Sequence, residues 1–311
     1  MNKDTPLNKA RVNFAYRLFL DRKPAPEEVE RVLSSHSTIK DLRNFLLKSV
    51  EFRNFHTNGH SDQLSNDKIF LHLHIPKTAG TSLNELLHAS YPKSETLAIT
   101  EASKLEVLNT SAGRLDKLRI IRGHFLYGLH DFLGRDFKYL VVLRRPAERI
   151  YSFYRFVKRS KSHPLHDVVQ RNNMTFGGFL KLSEEHKGLA KELNNGQCTW
   201  LAGVSVSNSF EKKEVTFRAA CSNLFDSRTI ARLTEFFSDF VERLKDEGIL
   251  TSASERKVNV STEGQNFEDA IGSLDEKEQT LMRDYCEWDN RLYSMAMLSL
   301  YGDSPDDLAF D

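Results

Sequence analysis

The chain has 311 residues, enough for one large core or for a large and a small one. With 44 Lys and Arg against 43 Asp and Glu, its formal charge of +1 argues against a generally basic nucleic-acid binder. MNKDTPLNKARVNF at the start has no apolar run before a small-residue cleavage site, and no apolar stretch reaches the length of a membrane span, so a cytoplasmic protein without an integral membrane segment is expected.

The first elements read as helices. Phe14, Leu18 and Phe19 fall on one helical face, Pro24 and Pro26 interrupt the pattern, and EEVERVL resumes it from a proline-led start. Thr38 is placed to cap a third helix bearing Leu42, Phe45 and Leu46. These make a small all-α unit over residues 1–56, followed by a polar linker over 57–68. From Ile69 the texture changes. IFLHLHI, RIIRGHF and KYLVVLRR are short, apolar and bounded by turn residues, as buried parallel strands are. SLNELLHASY, AERIYSFYRFVKR, ARLTEFFSDFVERL and EKEQTLMRDYCEWDNRLYSMAM have helical periodicity. Strands alternating with helices predict an α/β domain over 69–302, a parallel sheet flanked by helices, with a tail over 303–311. Cys198, Cys221 and Cys286 form no CxxC pair, so neither a metal site nor a disulfide framework is expected.

Strand, then PKTAGTS, then helix is the geometry of a P-loop-like anion cradle. Backbone N–H groups at the helix start point outward, and the helix dipole favours an anion there. Gly80 lets the backbone approach closely. Thr78, Thr81 and Ser82 offer hydroxyls, Ala79 its backbone, and Lys77 a compact positive charge. In the Walker pattern the lysine follows the glycine, whereas here it precedes it, which disfavours an ordinary ATP or GTP hydrolase.

HIPKTAGTSL resembles the 5′-phosphosulfate loop of carbohydrate sulfotransferases related to heparan sulfate 2-O-sulfotransferase. These enzymes use 3′-phosphoadenosine 5′-phosphosulfate (PAPS) as sulfuryl donor. VVLRRPAERIYSFYRF is similar to the same family's 3′-phosphate motif, and the resemblance implies that Arg144 and Ser152 hold that phosphate. The chemistry agrees: Arg144 ends a strand and can offer a bidentate fork, and Ser152 can add a hydroxyl from the next helix. From Arg135 to Lys161 there are nine Lys and Arg against two Asp and Glu, a basic block in a nearly neutral chain. The resemblance runs from about Ile69 to Gly302 and implies the sulfotransferase fold, in a bacterial-type enzyme. It has two departures. Arg145 stands where the family often has an acidic residue, and in NNGQCTWLAG Thr199 stands where an arginine is usual.

Sulfuryl transfer resembles phosphoryl transfer, an in-line displacement in which positioning and electrostatics supply most of the rate. Lys77 is placed to stabilise the leaving oxygen, and the loop to hold the sulfuryl oxygens. A base must take the acceptor's proton, and histidine suits neutral pH. Of eleven histidines His124 is the choice: it follows a strand and a glycine, at the carboxyl edge of the sheet, and matches the family's proposed base. His74, next to the loop, is the alternative base or a substrate contact. Gln197 and Trp200 lie in the acceptor-side segment; Trp200 is either a stacking face for a sugar or packed core. ERKVNVS is similar to the family's late basic loop, which implies Arg256 and Lys257 as further donor contacts, the alternative being a plain surface loop. AYRLFLDRKPAPEEVERVL with LLKSVEFRNF is similar to the bacterial DUF4214 helical module, whose helices either pack on the catalytic domain or dock a partner.

The expected function is therefore transfer of a sulfuryl group from PAPS to a hydroxyl of a polysaccharide, glycolipid or oligosaccharide, without metal or nucleic acid. The alternatives are a small-molecule kinase, which needs a Walker lysine and a magnesium carboxylate not found here, and a non-catalytic nucleotide- or glycan-binding protein.

Overall fold

A computed structural model describes residues 6–20, 22–49, 68–100, 107, 110–203, 210–251 and 264–301. The chain divides into two compact units, 1–67 and 68–311.

The first unit contains α1 (Lys9–Leu20), α2 (Pro26–Ser35) and α3 (Ile39–Lys48). Pro26 opens α2, where a missing N–H costs nothing. Thr38 caps α3: its Oγ1 accepts from the N–H of Asp41, whose carboxylate accepts from the N–H of Thr38. Val12, Tyr16, Leu20, Val32, Leu42 and Leu46 form the core of this unit. Phe45, expected on the inner face of α3, lies at the rim and rests against His36 instead. The side chains of Phe14, Leu18 and Phe19 are outside the described residues, as is nearly all of the 57–68 linker.

The second unit is a five-stranded, wholly parallel sheet of order β2-β3-β1-β4-β5. Its strands are β1 (Ile69–Leu73), β2 (Thr96–Thr100), β3 (Ile120–His124), β4 (Phe137–Leu143) and β5 (Thr229–Leu233). The three expected strands are its three inner ones. Their alternation sends Leu71, Leu73, Tyr139, Val141 and Leu143 to one face, against α10 (Gly196–Ala202), α11 (Phe210–Leu224) and α14 (Glu276–Tyr301). Ile120, Leu140 and Val142 pack on the other, against α4 (Gly80–Ser90) and α12 (Phe237–Asp246). A helical lobe completes the unit, with α6 (Pro146–Arg159), α7 (His166–Arg171), α8 (Phe176–Glu185), α9 (Lys187–Leu193) and α13 (Gly264–Gly272). The short α5 (Ala112–Leu115) precedes β3.

Two expectations need correction. ARLTEFFSDFVERL is not one helix: Ala231–Leu233 end β5, a 3-10 turn follows, and α12 begins at Phe237. Leu233, Phe237, Phe240 and Leu244 keep a helical spacing, and this carried the periodicity into a strand whose pairing with β4 fixes its conformation. The other edge strand, β2, was not anticipated because it buries only Ile99 and so shows no apolar run.

The order places a topological switch at β1 and β4. From β1 the chain moves toward β2, and from β4 toward β5, so the loops after these neighbours part above the carboxyl edge and leave a crevice. Among the described residues no helix is long and apolar enough to cross a membrane.

Candidate active site

The loop between β1 and α4 is shaped by two left-handed residues. Lys77 has φ 70° and Ala79 φ 60°, on either side of Thr78. L-residues with side chains rarely adopt this conformation, and alternating handedness turns successive N–H groups to one side, as in an anion nest. Thr78 is buried, and its hydroxyl donates to the carbonyl of Ile75 at 2.9 Å. That hydroxyl braces the loop; unlike those of Thr81 and Ser82 it does not line the cavity. Gly80 then opens α4. A Cβ there would fall 1.9 Å from the His74 ring, so only glycine lets the helix start this close to the strand end.

A single cavity of about 1010 Å³ gathers most of the residues selected from sequence. Lys77, Ala79, Gly80, Thr81 and Ser82 line it from the loop, Arg144 from the end of β4 and Ser152 from α6, with His74, His124 and Trp200 also in its wall. Ser152 is buried on α6. The Arg144 guanidinium pairs with Glu148 one turn on, Nε to Oε2 at 3.3 Å. The ammonium of Lys77 sits over the ring of Phe156, 4.6 Å from its centroid.

His124 ends β3. Its Nδ1 lies 2.8 Å from the backbone carbonyl of His74. A carbonyl only accepts, so the ring carries its proton on Nδ1 and leaves a lone pair on Nε2. Burial pushes the pKa of His124 down, and the bond to the His74 carbonyl opposes this. The ring is therefore neutral at physiological pH and able to accept a proton. It stacks on His74 at 4.2 Å, and Trp200 stands 6.0 Å away. Gly123 just before it has φ 142°, and a Cβ would meet the carbonyl of Ile99 at 1.9 Å, so glycine is required for β3 to lie against β2.

Gln197 and Thr199 do not line the cavity. Gln197 is buried, and its amide closes on the backbone of Arg144: Oε1 accepts from Arg144 N–H at 2.9 Å and Nε2 donates to the Arg144 carbonyl at 2.8 Å. It braces the turn at Arg144. Thr199 turns its hydroxyl inward, to the carbonyl of Asn195 at 3.0 Å. Arg145 pairs with Glu235 at 3.2 Å, and Tyr293 donates to the same carboxylate oxygen at 2.6 Å. Arg256 and Lys257 lie outside the described residues.

The supporting shell was missed from sequence. Asp289, fully buried on α14, accepts from the N–H groups of Gln197 (3.0 Å) and Cys198 (2.8 Å), capping the start of α10. Arg149, also fully buried, donates to the Glu192 carboxylate and to the carbonyls of Glu192 and Leu193. Asn84 joins His72 and His74 on the β1 side. Asn84 was legible in one respect: it falls on the same helical face as Gly80, Leu83 and Leu87, a polar residue in a buried stripe.

Solved structures similar to this chain include two sulfotransferases. A sulfotransferase from Alicyclobacillus acidocaldarius is 15% identical at a TM-score of 0.40, over 71% of this chain and 98% of that one. Mouse sulfotransferase SULT7A1 complexed with PAP is 16% identical at 0.40, over 76% and 90%. No curated protein matches in sequence. The family model described as the Sulfotransferase family matches residues 64–295. That span takes in all five strands, the loop after β1, the turn at Arg144 and the histidine at the end of β3, and over that length the chain belongs to the sulfotransferase family, enzymes of sulfuryl transfer.

Proposed function

We propose that this sulfotransferase moves the sulfuryl group of PAPS to a hydroxyl of a carbohydrate, with His124 as general base and Lys77 at the leaving oxygen. The observation that carries this reading is the convergence of the Lys77 loop, Arg144, Ser152 and His124 on one cavity of about 1010 Å³. Two anion-binding ends and a neutral histidine suit a donor with two phosphate groups and a hydroxyl acceptor.

PAPS supplies an activated sulfur bonded to the 5′-phosphate through a bridging oxygen. The N–H groups at the start of α4, with Thr81 and Ser82, hold the anionic oxygens at that end. Arg144 and Ser152 hold the 3′-phosphate. The Nε2 of His124 takes the proton of the acceptor hydroxyl as its oxygen bonds to sulfur. The sulfur–bridging oxygen bond breaks in line, and the electron pair leaves on the 5′-phosphate, where Lys77 stabilises it. The products are a sulfate ester and 3′-phosphoadenosine 5′-phosphate (PAP), with the proton on His124. Charge grows on the bridging oxygen only in the transition state, so Lys77 acts on turnover more than on binding. Trp200, 6.0 Å from His124, offers an aromatic face for the apolar side of a sugar ring, which supports a carbohydrate acceptor.

The test is transfer of radiolabelled sulfate from PAPS to a panel of glycans, beside calorimetric titration with PAP and with ATP-Mg. Label on a glycan, lost in Lys77→Ala while PAP affinity largely persists, is the expected result. Binding of ATP-Mg in preference to PAP, or transfer undiminished in Lys77→Ala, would overturn the reading.

A further inference from the structure

The β1 side of the cavity holds a hydrogen-bonded chain that the reaction scheme above leaves without a role. His72 Nδ1 lies 2.7 Å from Asn84 Oδ1, and Asn84 Nδ2 lies 3.3 Å from His74 Nδ1. An amide oxygen only accepts, so His72 carries its proton on Nδ1. An amide nitrogen only donates, so His74 Nδ1 is the acceptor and its proton sits on Nε2. Both rings are buried and stack 5.5 Å apart. Burial, with neighbouring positive charge, pushes His72 down to about 4 and His74 to about 2, so neither is an imidazolium at neutral pH.

The position of the His74 ring gives this tautomer a consequence. A Cβ at position 80 would fall 1.9 Å from His74 Cδ2 and 2.3 Å from Nε2, so the protonated edge lies against the first residue of α4. Backbone N–H groups and the helix dipole gather an anion there, and His74 lines the cavity at that point. A ring with a lone pair on Nε2 would repel such an anion, whereas an N–H donates to it. His124, stacked on this ring 4.2 Å away, carries the opposite tautomer. The two histidines are therefore not interchangeable: one accepts at Nε2 and the other donates.

We propose that His74 presents a neutral Nε2–H donor to the anion held at the N-terminus of α4, and that Asn84 is the positioning residue that sets this tautomer. The proposal rests on the donor-binding reading above. Asn84 joins β1 to the second turn of α4, so it also holds the ring plane over Gly80.

The experiment is nitrogen-15 NMR of histidine-labelled protein, with the His74 ring assigned by its loss in His74→Gln. The wild type should show His74 as the Nε2–H tautomer. Asn84→Asp, whose carboxylate can only accept, should convert it to Nδ1–H. In PAP titrations, His74→Gln places an amide donor near the Nε2 position, while His74→Phe keeps the ring without a donor. The Gln variant should bind at least about tenfold more tightly, as expected for one hydrogen bond to a charged group. An Nδ1–H tautomer in the wild type, or equal affinities of the two variants, would overturn the proposal. If the wild type binds no PAP, the nucleotide reading falls, and the same variants are titrated with inorganic pyrophosphate. Tighter binding by the Gln variant then sustains the donor role, and equal binding removes it.

Discussion

At the scale of single residues, the proposed base His124 owes its proton placement to another residue. The His74 carbonyl fixes the His124 proton on Nδ1, and this aims the basic nitrogen at the cavity. His124→Ala should slow single-turnover transfer by roughly 10²–10⁴-fold, the usual worth of a general base. PAP affinity, read by calorimetry, should change little. The sign of the pH dependence follows from the depressed pKa. The ring is neutral and competent above its folded pKa and loses competence as pH falls through it. That value lies below the ordinary 6.5, so the acid limb of wild-type turnover should lie below pH 6.5. A limb at or above 6.5, or full turnover in His124→Ala, would remove His124 from the base role. Both histidines were visible in the sequence as positions beside a strand end. Their division of labour was not, because it depends on which nitrogen meets a carbonyl or an amide 10 to 50 residues away.

At the scale of elements, the Arg144 side of the cavity is built from contacts between helices. α14 supplies Asp289, which caps α10; α10 supplies Gln197, which grips the Arg144 backbone at the end of β4. This strut holds the strand-to-helix turn from which the Arg144 guanidinium reaches the cavity. Gln197→Ala leaves two backbone groups without that partner in a buried place, at about 1–3 kcal/mol for each unsatisfied group. Denaturant unfolding should report the loss of stability. PAP binding should also weaken, because a misplaced turn misplaces Arg144. Lowered stability with unchanged PAP affinity would show the strut to be structural only. The sequence carried the motif through Arg144 and the segment around Gln197, yet not their junction: an amide that closes on a backbone 53 residues away has no local signature. For the same reason Gln197 read as an acceptor contact. A motif marks which residue types are present and not which way they face.

At the scale of the whole molecule, the chain divides at 67/68, and each unit has its own apolar core. Residues 68–311 are expected to fold alone and to bind PAP with the affinity of the full chain. Circular dichroism with thermal melting, beside calorimetry, tests this; loss of cooperative melting in the shortened chain would show that the helices of the first unit belong to the same folding unit. The central strands, the glycine turn after β1 and the positions of Arg144 and His124 at strand ends were legible in the sequence alone, because each rests on local physics: an apolar run bounded by turn residues, a glycine where a helix starts, a charge at a strand end. The edge strands β2 and β5, the Asp289–Gln197 strut and the Asn84 bridge were decided only by tertiary structure. β2 buries too little to show a pattern, the helical spacing that runs from Leu233 into α12 masks β5 until its pairing with β4 overrides it, and the bridges join residues that meet only after the sheet has ordered its strands.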